Sequence, residues 1–322
     1  MKAPLQRSTA VGGRHRQLLR SIGAMVYYIA VASGLTIVNK SIFSTYNFQH
    51  PLVLVEAQLL CTLLLFELLS WCRVLERPLW SLGTLPKLLP LVISYLLMLM
   101  SGMFGLQNTS LVMYNTLRRT TVAFVLILEY LVLKVVPSLP TLCCVAAMTL
   151  GAVWAGSKDS AFDIYGYGMI FLANLTSALY IVFVRKVKQT TNWNNTDILY
   201  LNSMMTAPLV LGLLLWQGTL GELYRKGLHA YSWGFYVVFA VACQMGFIIN
   251  HSIYYNTNTN SPLTQTVSAQ VKDVILLAAS APFDGTRAIM ENIAGIMVSL
   301  LGSLAYSVIK YREHAAIPEN PR

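Results

Sequence analysis

Ten apolar runs, each close to the length that crosses a bilayer, leave this chain few folds to choose from. A helix rises about 1.5 Å per residue, so about 20 apolar residues span a hydrocarbon core of about 30 Å. The runs cover residues 21–43, 51–72, 86–106, 110–133, 138–157, 162–184, 197–217, 231–254, 262–282 and 288–310. Breaks between them fall where charges, Pro and Gly cluster, as in "RVLERPLWSLGTLPK", "KVVPSLP", "GSKDSAFD", "RKVKQTTNWNNTD" and "APFDGTR". Only helices and closed barrels satisfy their backbone polar groups inside lipid, and runs of this length select helices. The expected fold is therefore an all-α polytopic membrane protein with ten transmembrane helices.

Charge sets the orientation. Only 11% of the residues are charged, against about 25% in soluble domains, and the deficit extends along the whole chain. With a cytosolic N-terminus, the cytosolic segments hold Lys2, Arg7, Arg14, Arg16, Arg20, Arg73, Arg77, Lys87, Lys134, Arg185, Lys186, Lys188, Lys310, Arg312 and Arg322. The opposite side holds Lys158, Arg225, Lys226 and Arg287. Fifteen cations against four place both termini in the cytosol by the positive-inside rule. The net charge of +10 forms no continuous basic face, so no nucleic-acid partner is expected. Residues 1–20 read as a basic cytosolic tail and 311–322 as a second tail. Cys61, Cys72, Cys143, Cys144 and Cys243 show neither disulfide-framework nor zinc-ligand spacing and read as packing residues.

Four cations remain, all within spans or at their ends: Lys40, Arg118, Arg119 and Lys272. A charge at mid-bilayer depth costs about 2.5–3.5 kcal/mol on insertion scales, so such residues face the bundle interior or a wet cavity. Arg118 and Arg119 differ by about 100° around a helix and cannot share a direction. Which of them faces a cavity is open at this level, and so is a structural pairing of either with Glu56 or Glu129. Glu129 lies about 16 Å along the axis from Arg118, too far for a direct pair on one helix. Lys272 is followed by Asp273, expected to point elsewhere, and an internal ion pair is the plain structural alternative for this lysine.

A weak internal symmetry links these positions. Span 4 opens "NTSLVMYNTLRRTTVAFVLI" and span 9 opens "NSPLTQTVSAQVKDVILLAA": each has a polar start, a Leu three residues on, then a cation within the helix. If residues 21–157 and 162–310 are two five-helix repeats, spans 4 and 9 are equivalent and run in opposite directions. Inverted repeats place a substrate site near the midplane at their junction. Two cationic helices meeting there would attract a multiply charged anion. Near the start of span 7, Tyr200 offers a ring that can stack and Asn202 an amide that can read a base edge. Tyr27 and Tyr28 carry the same ambiguity between lining a site and an interfacial belt, and His251 reads as a packing residue. Asn108 opens an acceptor sequon close to the membrane. The chain shows no metal-ligand spacing, Gly-rich phosphate loop or nucleophile elbow, so no enzymatic chemistry, metal or cofactor is expected.

The pieces "TIVNKSIF", "MYNTLRRTTV", "AGSKDSAFDIYGY" and "NSPLTQTVSAQVKD" together resemble the nucleotide-sugar transporter family of the drug/metabolite transporter superfamily, over about residues 21–312. "Leu-Arg-Arg" in span 4 and "AFD-x-x-GY" entering span 6 look most like the branch carrying UDP-glucuronate and UDP-N-acetylhexosamines. The GDP-mannose branch carries F-Y-N-N in helix 7 and G-A-L-N-K in helix 9, of which Tyr200, Asn202, Ala269 and Lys272 match here. The resemblance implies that Tyr200 and Asn202 lie near the nucleobase and Lys272 near the phosphates. It implies that Tyr28, eleven residues before Asn39, lines the sugar end. It brings Ser268, Gln270 and the Arg118–Arg119 pair to the same site, and leaves Lys40, Glu56, Glu129 and Asp273 as charge-pair candidates.

The expected function is exchange of a UDP-sugar for a nucleoside monophosphate across the Golgi membrane by alternating access. The endoplasmic reticulum is an open second location, and a homodimer an open assembly. The competing readings are a GDP-sugar transporter, a plastid-type sugar-phosphate exchanger and a membrane scaffold without transport.

Overall fold

The computed structural model describes the backbone of residues 5–76, 78, 85–134, 136–159, 161–191, 193–226, 231–260 and 262–315. Every regular element among the described residues is helical: α1 Leu5–Ser44, α2 Pro51–Trp71, α3 Leu85–Asn108, α4 Leu111–Arg118, α5 Thr121–Leu128 and α6 Leu139–Ser157, then α7 Ile164–Thr190, α8 Asn195–Trp216, α9 Thr219–Lys226, α10 Trp233–Thr259, α11 Pro262–Ala279 and α12 Ala281–Ala315. A π-helical turn, Glu129–Leu133, follows α5. Local chemistry explains several starts. Ser110 and Ser138 accept from the backbone N–H three residues on, as does Asp163, and Asp197 reaches back to the N–H of Asn194 at 2.8 Å.

Nine helices among the described residues are long and apolar enough to cross a membrane. The one at the expected ninth span, α11, is not among them. Thr264, Gln265, Thr266, Ser268, Gln270, Lys272 and Asp273 crowd its 18 residues and lower its hydropathy. Three boundaries also differ from expectation. Helix α1 extends back to Leu5, so most of the basic tail is helical. The "APFDGTR" stretch does not break the chain: α12 restarts at Ala281 after a turn at Ser280. Pro282 falls in the first turn, where its missing N–H leaves no helical bond unmade. Span 4 is two helices and not one, with the interruption at Arg119 and Thr120.

The bundle is apolar outside as well as inside, as lipid immersion requires. Leu64, Leu150 and Ile164 are exposed. Trp71 and Trp216, closing α2 and α8, and Trp233, opening α10, are 82%, 83% and 81% exposed, as residues of an interfacial belt are. Inside, Phe48, Leu52, Val55, Tyr95, Val210 and Phe235 anchor one apolar cluster, and Met113, Leu117, Ala152, Ile170 and Ile296 a second. Helix α1 packs on α10 and α11, α3 on α7 and α8, and α2 on α8 and α10. Helix α7 also packs on α4 and α5, α4 touches α11, and α6 lies along α12.

The α6–α12 contact is a backbone approach. A Cβ on Gly151 would stand 2.5 Å from the backbone nitrogen of Ser299, and one on Gly295 2.5 Å from that of Ala155. Small residues at such crossings let helices close on each other where no hydrophobic effect drives them together.

Candidate functional site

The break in the fourth span organises the charged centre. After Leu117 the backbone takes i→i+3 bonds: Thr120 N–H donates to the Leu117 carbonyl at 3.0 Å and Ala123 N–H to that of Thr120 at 3.0 Å. The Leu117 carbonyl also accepts from Thr120 Oγ1 at 2.8 Å and from Asn174 Nδ2 at 2.9 Å. Irregular backbone at membrane depth persists only where protein satisfies it, and here Asn174 of α7 does so. Its Oδ1 accepts from Arg118 Nη1 at 3.2 Å and from Thr121 Oγ1 at 2.8 Å.

The two arginines diverge, as their spacing requires. Arg118 turns to α7, where Asn174 and Ser177 (3.1 Å) accept its hydrogen bonds, and both partners are neutral. Arg119, 7% exposed, turns to α11, where its Nε meets Asp273 Oδ2 at 3.1 Å. Its Nη1 is buried with no hydrogen-bond partner among the described residues. Glu56, one of the two carboxylates left open as an arginine partner, does not meet Arg118 or Arg119 among the described residues. It is buried in α2, and neither carboxyl oxygen has a hydrogen-bond partner among the described residues. Glu129 opens the π-helical turn beyond α5. A carboxylate 154 positions away in sequence is the one the packing delivers to Arg119.

Asp273 does not point away from Lys272. Its Oδ1 lies 3.3 Å from Lys272 Nζ, because the four-carbon lysine stem bends across the turn that separates the two side-chain directions. One carboxylate thus bridges a cation of α4–α5 and a cation of α11. Lys272 is the more accessible partner, with a side chain 22% exposed against 4% for Arg119. Tyr28 is buried in α1, one of the helices packed on α11.

The other expected residues take separate places. Tyr200 packs against Phe66, ring centroids 4.4 Å apart and planes tilted by 31°, and its hydroxyl donates to Glu67 at 2.6 Å. Asn202, fully buried, turns the other way to Tyr180 of α7, with Nδ2 3.2 Å from the Tyr180 oxygen. Its Oδ1 has no hydrogen-bond partner among the described residues. Ser268 is buried and accepts from Asn256 Nδ2 at 3.5 Å. Gln270 lies in α11 and its side chain falls outside the described residues. Lys40 reaches the carbonyls of Leu106 at 3.1 Å and Thr109 at 2.5 Å, placing a cation where the C-terminal end of the α3 dipole is negative. His251 and Tyr27 pair at 3.2 Å between α10 and α1.

Asn174 and Ser177 escaped the sequence reading. The available signal was an Asn-Leu-Thr-Ser stretch in the middle of an apolar span, where a lone amide needs a partner.

The sequence profile of the Triose-phosphate Transporter family matches residues 21–307. The chain is 30% identical over 311 residues to a UDP-N-acetylglucosamine transporter of Arabidopsis thaliana, covering 90% of this chain and 88% of the relative. It is 28% identical to a UDP-sugar transporter of Drosophila melanogaster, covering 92% and 80%. It is 25% identical to a GDP-fucose transporter of Dictyostelium discoideum, covering 92% and 82%. A solved crystal structure, 10% identical, matches with a TM-score of 0.57 over 93% of this chain and 99% of that chain, a likeness of fold alone.

Proposed function

This chain belongs to the Triose-phosphate Transporter family, a family of transporters and not of enzymes, and from that membership we propose that it exchanges a UDP-sugar for a nucleoside monophosphate across the Golgi membrane. UDP-sugar transporters among its relatives, the UDP-N-acetylglucosamine transporter of Arabidopsis included, support that substrate class.

One observation carries the reading: a cationic centre lies where α4 meets α11, with Arg119 and Lys272 around one carboxylate. Two cations against one anion leave a net positive charge, the field that a diphosphate requires. Lys272, the accessible member, takes the phosphates, and Tyr28 of α1, the helix packed on α11, lines the sugar end. Arg119 stands behind Lys272 through Asp273, and Arg118 braces the broken helix. Asn202 is better suited than Tyr200 to meet the base, since its carbonyl oxygen is a spare acceptor for the ring N–H of uracil. The Tyr200 ring already packs against Phe66 and its hydroxyl is engaged.

Alternating access follows from two five-span repeats, with ten spans and both termini cytosolic. The packing supports this division, counting α4 and α5 as one span and omitting the short α9. The α3–α7 contact recurs five spans on as α10–α1, α1–α11 as α7–α4, and α2–α10 as α8–α3. The contacts α2–α8, α4–α11 and α6–α12 map onto themselves. Rocking one repeat against the other about a midplane site is the motion such an arrangement permits.

Purified protein in liposomes loaded with UMP tests the reading. Uptake of UDP-N-acetylglucosamine that depends on internal UMP is the expected result, and no exchange of any nucleotide sugar overturns it. The GDP-fucose transporter among the relatives makes GDP-sugars the second reading, decided by competition between UDP- and GDP-sugars in the same vesicles.

A further inference from the structure

We propose that Asp273 is a built-in competitor for Lys272, an internal anion that occupies the cationic centre when no phosphate is bound and so sets its affinity for nucleotide. The inference rests on the transport reading above and adds a residue whose charge opposes substrate binding.

The two arms of the carboxylate are unequal. The Arg119 arm is 3.1 Å long and buried, and Arg119 uses only Nε, leaving Nη1 without a partner among the described residues. Both arms exceed the usual 2.7–2.9 Å of a charge-assisted N–H···O bond, but the Lys272 arm is the longer at 3.3 Å, and its lysine is partly exposed. Adjacent side chains on a helix diverge by about 100°, so Lys272 must fold back to reach Asp273. A phosphate oxygen has the same charge and acceptor chemistry as a carboxylate oxygen. An arriving phosphate therefore takes the lysine, which is free to swing, and leaves Asp273 held by Arg119. When the phosphate departs, the carboxylate is still in place to recapture the ammonium. The competition weakens binding and favours release, as an exchanger must release its cargo on both sides of the membrane.

If Asp273 served only to neutralise buried Arg119, removing both charges together would leave nucleotide binding unchanged. If it competes for Lys272, the same double change frees the lysine at constant net charge. The test is equilibrium binding of UMP to purified wild type, Asp273→Asn and Arg119→Gln/Asp273→Asn. The double variant leaves no stranded buried charge and keeps the comparison available if the single variant fails to fold. Binding tighter by about threefold to tenfold in the double variant, with slower exchange in liposomes, is the expected result. UMP binding no tighter than wild type in the double variant overturns the proposal. Wild-type protein that binds neither UMP nor a UDP-sugar overturns the transport reading itself.

Discussion

Asn174 Nδ2 donates to the Leu117 carbonyl at 2.9 Å, across the interface between α7 and the break in the fourth span. Asn174 is fully buried, and all of its hydrogen-bonding capacity is engaged: Nδ2 also meets Thr120 Oγ1 at 2.9 Å, while Oδ1 accepts from Arg118 and Thr121. The amide therefore stabilises the broken backbone and orients one arginine together.

Asn174→Leu is expected to destabilise the protein, because it removes one of the bonds to the Leu117 carbonyl and one of the two acceptors of the part-buried Arg118 guanidinium, and leaves Thr121 Oγ1 with one acceptor fewer. Each buried unsatisfied group costs about 1–3 kcal/mol, more when charged. Thermal unfolding in detergent should show a clear drop, and wild-type stability would mean that the break is held by other groups.

Lys272→Ala is expected to abolish UMP-dependent exchange while expression and thermal stability stay near wild type. Asp273 keeps its bond to Arg119 in that variant, so the interior is left with a paired charge. Exchange at the wild-type rate would remove Lys272 from the substrate site.

Arg118→Ala and Arg119→Ala are expected to differ. Arg119→Ala removes the buried partner of Asp273, and breaking a buried pair costs about 3–5 kcal/mol, so folded yield should fall sharply. Arg118→Ala removes bonds to two neutral groups and should cost less, with exchange per folded molecule retained. Size-exclusion profiles and exchange normalised to folded protein separate the two outcomes, and equal small losses would show that neither contact matters.

Gly295→Leu is expected to disrupt the bundle. Even a Cβ at this position would stand 2.5 Å from the Ala155 backbone nitrogen, so α6 and α12 must separate. Overpacking of this kind typically costs about 1–3 kcal/mol or more. A melting temperature like that of the wild type would show that the helices part without penalty. Gly212→Leu is the control, since a Cβ there meets nothing within 4 Å.

The long apolar runs were legible because lipid imposes one rule on every span: about 20 apolar residues, with charges set aside in the loops. That rule located nine helices that meet the spanning criteria among the described residues and identified the buried cations as the exceptions. It located α11 as a helix too, though its polar opening half lowers its hydropathy below that of its neighbours. The divergence of Arg118 and Arg119 was also readable, since it follows from helical pitch alone.

Partner choice was not readable. Glu56 and Asp273 are both carboxylates on apolar helices, and nothing local says which one meets Arg119. The approach of α4 to α11 decides it, and that approach depends on how all the helices pack. The same holds for the separation of Tyr200 from Asn202, for Asn174 beneath the broken helix and for Lys40 at the end of α3. By itself the sequence determined that this chain forms membrane-spanning helices and must keep several cations inside them, because hydropathy and helical period act within a single segment. Only the tertiary structure decided which carboxylate those cations share, because an ion pair between residues 154 positions apart exists only once two distant helices meet.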